Sequence, residues 1–291
     1  IYPTKHYMPA PMPGDPAAVA AAADALVKAE RPVIIAGNGV RIAKAYAPLA
    51  ALAELLGAQV ATSAAGQSVF PETHALALGT SGNFGQATAN AFIGQADMVL
   101  AVGTRLGPSD TTFENPALID PTRQSLVQVD VEPKNVGWSF PCHAAVVGDA
   151  ALVLGQLAEA VRAKGAPGAG VLAERKKLLD GIRKKEGFFQ NPAYTSDESP
   201  IMPQRTLAEI HKAIDERTFV TCDAGENRLF MTHFFRSKGG GNLLMPGIGA
   251  MRYAVPAALA CKLVHPDRPA LAVTGDGGFS MAINGLMTAR D

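Results

Sequence analysis

Several short runs in this chain are wholly or mainly apolar and stop at a residue that turns the backbone. Val33–Ala36 leads into Gly37-Asn38-Gly39, and Met98–Val102 into Gly103-Thr104-Arg105. Leu126–Val131 carries Asp130 near its end, and Leu271–Thr274 leads into Gly275-Asp276-Gly277. A continuous apolar run of this length suits a strand with both faces covered, as in a parallel sheet with helices on each side. Helical patterns lie between the runs. Asp15–Glu30 is alanine-rich, with Asp15 placed as N-cap and Pro16 in the first turn. Ala45–Leu56 and Ala150–Ala163 are also helical, and Ala58–Thr62 and "AAVVGDA" add two short strands. Strands alternating with helices specify an α/β fold with a doubly wound parallel sheet, expected over residues 15–165.

Residues 1–14 read as an extended, proline-rich linker without a signal-peptide core, so the chain is expected to begin inside a longer protein. Residues 166–203 read as a connector: a "KGAPGAGV" break, a charged helix over Leu172–Lys185 and the loop "QNPAYTSDESPIMPQ". A second α/β unit is expected over 204–291. It has a helix over Gln204–Glu216, a strand and turn in "TFVTCDAGEN", helical Arg228–Phe235, a glycine-rich loop, a helix over Tyr253–Leu263 and the strand Leu271–Thr274.

The 26 basic and 26 acidic residues balance, which argues against a nucleic-acid or membrane-surface protein. Three scattered cysteines without a CxxC pair read as reduced thiols of a cytoplasmic protein. No P-loop, HExxH or Ser–His–Asp arrangement occurs, and His74, His211 and His233 read as ordinary loop or helix histidines.

A strand running into glycine, acid, glycine sets a carboxylate beside bare backbone NH groups. That pairing suits a divalent cation carrying a diphosphate, Asp276 taking the metal and Gly275, Gly277 and Gly278 the phosphate oxygens. The same turn also occurs in α/β proteins with no ligand. Its surroundings narrow the choice. The stretch "PGIGAMRYAVPAALACKLVHPDRPALAV" before "GDGGFSM", with "FVTCDAGEN" upstream, resembles the diphosphate-binding domain of thiamine-diphosphate (ThDP) enzymes of the acetolactate-synthase-like group. "RPVIIAGNGV", "FPETHALALG", "QADMVLAVGTRL" and "VQVDVEP" resemble the central domain of that group.

The resemblance implies ThDP and Mg2+, with Asp276 as metal ligand. It implies that Met251 is the bulky residue that holds the cofactor bent, the alternative being a core-filling methionine, and that the Gly249 carbonyl accepts from its aminopyrimidine. Gly225, Glu226 and Asn227 match the turn that touches the diphosphate. In the central domain the resemblance implies a structural FAD, with ADP or nothing as alternatives. Gly37, Asn38, Gly39, Gly82, Asn83, Phe84, Gly103, Thr104, Arg105 and Asp130 are its candidate contacts. It further implies a small 2-oxo acid or 1,2-dione substrate and a homodimer or homotetramer. Cleavage or formation of a C–C bond beside a carbonyl is the expected activity, as in a cyclohexane-1,2-dione-hydrolase-like lyase. Acetolactate synthase proper is one alternative, and a non-catalytic nucleotide-binding or subunit-interaction protein is another. Three positions depart from the pattern: Glu226, Gly285, and Ser109 where the synthases carry a carboxylate-binding arginine. The family's second metal ligand and its catalytic glutamate are expected outside this chain, which alone is expected to be inactive.

Overall fold

The computed structural model describes residues 10–245 and 249–290. Most of the proline-rich linker, part of the glycine-rich loop before Gly249, and Asp291 lie outside the described residues. The first unit comprises α1 (Pro16–Lys28), β1 (Pro32–Ala36), α2 (Asn38–Ile42), α3 (Tyr46–Leu56), β2 (Gln59–Thr62), β3 (Ala77–Thr80), α4 (Ala87–Gln95), β4 (Met98–Val102), β5 (Ser125–Asp130), β6 (Ala144–Val147) and α5 (Ala150–Lys164). It is followed by α6 (Ala169–Glu186). The second unit has α7 (Pro203–Ala213), β7 (Phe219–Cys222), α8 (Glu226–Phe234), β8 (Leu243–Leu244), α9 (Ala254–Val264), β9 (Ala270–Val273), α10 (Asp276–Ala282) and α11 (Gly285–Arg290).

Among the described residues the strands form two parallel sheets. The larger runs β3-β2-β1-β4-β5-β6 and the smaller β8-β7-β9. The doubly wound expectation therefore holds, and the order turns back between β1 and β4. Alternation divides each central strand between two cores. Ile34, Leu100 and Val127 pack under α1, α3 and α5 through Leu26, Leu52 and Leu157. Val33, Val99 and Leu126 face α4 and α6 through Phe92, Ile93 and Leu179. Asp15 caps α1 as expected, its Oδ1 accepting from Ala17 N and Ala18 N at 3.0 and 2.9 Å.

Strands β3 and β8 and helices α2 and α4 are absent from the sequence reading, β8 lying within the expected glycine-rich loop. β3 is four residues at the sheet edge, bent at Gly79 (φ 85°) and shifted in register against β2. Its turn is closed by the Gln86 side chain, which accepts from Thr80 N. Neither feature leaves an alternating pattern. The charged helix within 166–203 begins at Ala169, earlier than expected, and is tied to the first unit. Buried Arg175 donates to the carbonyls of Glu30 (3.0 Å), Ala29 (2.5 Å) and Leu56, covering the C-terminal ends of α1 and α3.

The loop after β2 joins the two units. Arg41 donates to Ala65 O and Gln67 O on its own side and to Leu243 O (3.0 Å) and Gly241 O (3.3 Å) on the other. Glu72 N donates to Ser237 O at 3.0 Å, and Ser237 N donates back to Glu72 Oε2 at 2.5 Å. The helix expected to reach Glu216 ends at Ala213. No helix among the described residues is long and apolar enough to cross a membrane.

Candidate cofactor site

Because β7 and β9 are parallel neighbours, their C-terminal ends finish side by side, with Asp223 N donating to Val273 O at 3.0 Å. Two glycine segments leave this edge together. After β7, Gly225 at φ 88° starts α8, and after β9 Gly275 starts α10. The expected tight turn at Gly275-Asp276-Gly277 is a strand-to-helix junction instead: Gly275 is extended (φ −80°, ψ 171°) and Asp276 is the first helical residue. No side chain caps either helix start, so first-turn NH groups of both gather on one rim. The segments are close enough that a Cβ on Gly275 would lie 3.7 Å from Asn227 Oδ1. The Asp276 carboxylate is exposed.

A third segment closes on these two. Gly249 takes φ 68°, and a Cβ there would sit 3.3 Å from the Arg228 guanidinium. Met251 is 50% exposed, so it does not fill a core, and its Cε is 3.1 Å from where a Cβ on Gly277 would be. The sequence-assigned residues Gly225–Asn227, Gly249, Met251 and Gly275–Gly278 are thus gathered at one edge. Glu226 is exposed at the first position of α8, where the helix dipole favours a carboxylate, which gives this departure a local reason. Gly285 also has one: a Cβ there would meet Val255 and Leu259 at 3.3 and 3.4 Å, so glycine lets α11 lie close on α9.

Sequence reasoning missed Asp223, which is 2% exposed beneath this rim. Its Oδ1 accepts from Ala254 N (2.7 Å), and its Oδ2 from Thr274 Oγ1 (2.7 Å) and Arg252 N (3.2 Å). The signal was present, since an acid closes the strand in "VTCD" as it does in "VQVD". The adjacent Cys222 thiol is pushed up to about 12 by burial, which keeps it protonated and inert at neutral pH.

A separate cleft of about 500 Å³ opens at the C-terminal ends of β1, β2, β4 and β5, at the point where the strand order turns back. Asn38, Gly39, Gly103, Thr104, Arg105 and Asp130 line it. Gly37 does not line it but makes it possible: a Cβ there would fall 2.3 Å from Gly103 O, so the two strand ends can cross only as bare backbone. Gly82, Asn83 and Phe84 lie outside the cleft wall and back it indirectly, Asn83 N donating to Ser109 O at 3.0 Å. Asp110 and, from the second unit, Arg228 join the lining without having been anticipated. Burial raises the Asp110 carboxyl, although Ala64 N donates to it at 3.1 Å. Asp130 Oδ1 accepts from Glu132 N (2.9 Å) and Asn135 Nδ2 (3.1 Å) and so shapes the loop after β5.

Among the described residues no group of three or more His, Cys, Asp or Glu side chains could hold a metal. A cation at Asp276 would be one bound by few protein oxygens and completed by phosphates and water, as Mg2+ commonly is.

Two family models match separate parts of the chain. Residues 19–157 match the family model described as the thiamine pyrophosphate enzyme central domain. Residues 223–291 match the C-terminal TPP binding domain of the same enzymes. A probable acetolactate synthase large subunit of Methanocaldococcus jannaschii is 33% identical over 285 residues, covering 96% of this chain and 46% of that protein. A sulfoacetaldehyde acetyltransferase of Alcaligenes xylosoxydans xylosoxydans is 30% identical over 296 residues, covering 95% and 49%. The acetolactate synthase isozyme 3 large subunit of Escherichia coli (strain K12) is 30% identical over 271 residues, covering 91% and 45%. The chain spans about half the length of the curated relatives it matches.

Proposed function

Since this chain belongs to the thiamine pyrophosphate enzymes, in their acetolactate-synthase-like group, we propose that it forms the diphosphate half of a ThDP and Mg2+ site in an enzyme that makes or breaks a C–C bond beside a carbonyl. The observation that carries this reading is the meeting of Gly225–Asn227, Gly249–Met251 and Gly275–Gly278 at the edge of the small sheet. The residues present suit the group. Bare glycine backbone leaves room for phosphate oxygens, uncapped first-turn NH groups supply donors, and Asp276 supplies a hard oxygen for the cation. Met251 stands over Gly277 with its side chain exposed, where it would support the bend of the cofactor, and the Gly249 carbonyl would accept from the aminopyrimidine. When bound, the cofactor supplies the electron sink, and the protein's part is to hold and orient it.

The cleft of the first unit is the proposed seat of a structural FAD, with Arg105 and Arg228 supplying positive charge and Asp130 ordering the loop at its mouth. ADP alone is the alternative, and visible flavin absorbance of the purified protein separates the two. A 2-oxo acid or a 1,2-dione is the proposed substrate class. Ser109, where an arginine would hold a second carboxylate, favours a lyase of the dione-hydrolase type. Acetolactate synthase is the second reading, supported by the M. jannaschii and E. coli relatives. Domain limits of 15–165 and 204–291, a cytoplasmic location and a homodimer or homotetramer complete the proposal.

Titration of the intact protein with ThDP and Mg2+ tests it. At a hundredfold excess over Kd the cofactor should stabilise the fold by about 2.7 kcal/mol. Asp276→Ala should remove the Mg2+ dependence of that stabilisation. A protein that melts identically with and without ThDP and Mg2+ would overturn the reading.

A further inference from the structure

The three segments of the cofactor rim come from separate parts of the chain, yet one buried residue reaches all of them, two through its carboxylate and the third through its main-chain carbonyl. Asp223 sits one residue beyond β7 and is held in line by its own NH on Val273 O. Its Oδ1 accepts from Ala254 N, the first residue of α9. Its Oδ2 accepts from Arg252 N, next to Met251, and from Thr274 Oγ1, which immediately precedes Gly275. Its main-chain carbonyl accepts from Asn227 Nδ2 at 3.3 Å, reaching the α8 start. The fit at Oδ2 leaves no slack, because a Cβ on Gly278 would fall 2.2 Å from that oxygen. Arg252, at φ 70°, is held in the left-handed region by a loop whose NH is fixed on this carboxylate.

We propose that Asp223 is a positioning residue for the cofactor. It touches neither phosphate nor metal, and acts by fixing the register between the Met251 loop and the Gly275–Gly278 segment. The proposal rests on reading this rim as the ThDP site. A carboxylate of this length is suited to the task because three converging donors need acceptor lone pairs on two oxygens. Asparagine keeps the shape and one acceptor oxygen but turns an NH2 toward a donor. Glutamate keeps the charge but displaces it by a methylene into the space Gly278 leaves.

The test uses the intact protein with saturating Mg2+. Calorimetric titration gives the Kd for ThDP, near-ultraviolet circular dichroism reports the geometry of the bound cofactor, and melting without cofactor reports the fold. Asp223→Asn should weaken ThDP at least about tenfold and change the dichroism at saturation, with the cofactor-free protein still melting cooperatively. Asp223→Glu should not rescue it. Thr274→Val, which removes one donor and keeps its shape, should weaken ThDP about two- to fivefold, and it decides the matter if the Asp223 variants fail to fold. Binding within about twofold of the parent with unchanged dichroism in Asp223→Asn, or in Thr274→Val where Asp223→Asn does not fold, would overturn the positioning role. Absence of ThDP binding in the parent itself would instead remove the cofactor reading on which this one stands.

Discussion

The two sheets of this chain are built from strands of similar composition and end in very different states. Every residue of β1, β2 and β4 is buried, because helices cover both faces of the large sheet. In the small sheet, β9 is part-exposed at all four positions although its sequence, ALAV, is as apolar as MVLAV. Its core is a small cluster around Leu207, Val220, Met231 and Leu243. Beside it Leu263 and Val264 of α9, Met281 of α10, Ile283 just after it and Met287 of α11 stand open to solvent. Apolar sequence therefore makes a strand, while its burial depends on what arrives to cover it. In the first unit the polar site is a cleft at the end of a finished scaffold. In the second, the site is organised by a buried carboxylate that ties loops together.

The contrast can be broken by substitution. The largest effect belongs to the first unit: Leu100→Ala, at a fully buried position in β4, should cost about 2–5 kcal/mol in urea denaturation. A loss below about 1 kcal/mol would mean that the large sheet is not the rigid half.

An effect specific in pH is expected at the seam. Burial pushes the Glu72 carboxyl from its ordinary 4.5 up to about 8, although Ser237 N donates to it. Between those two values the folded protein holds a proton that the unfolded chain has released. Unfolding then releases a proton, and rising pH favours unfolding. The stabilisation is complete below about pH 4.5 and lost as pH rises through about 8. The slope should be at most about 1.4 kcal/mol per pH unit, and Glu72→Gln should abolish it in urea midpoints measured across the range. The smallest effect is expected in the second unit. Leu263→Ala, at a position 80% exposed, should shift the stability of this chain by no more than about 0.5 kcal/mol. A much larger loss would show that the open face is covered even without further protein.

Much of the fold is legible in the sequence because the signals are local. Apolar runs such as Ile34–Ile35 and Val99–Leu100 declare buried parallel strands, and Asp15 declares a helix start, confirmed by its side-chain capping. Strand β3 and helix α4 were not legible because a bulge and a side-chain-closed turn carry no period. The glycine segments of the site were visible, and so was Asp276. Their gathering was not, since it depends on β9 pairing alongside β7.

Composition, periodicity and turn residues thus decided by themselves most of the strands and helices, and where glycine must leave backbone bare. Only the tertiary structure decided which of them meet. Asp223 looks from sequence like any acid at a strand end, and became the centre of the rim when parallel register brought Thr274 and the Arg252–Ala254 loop onto its two oxygens. Secondary structure follows from neighbours along the chain. A buried carboxylate finds its donors across gaps of up to 51 residues, which no local pattern encodes.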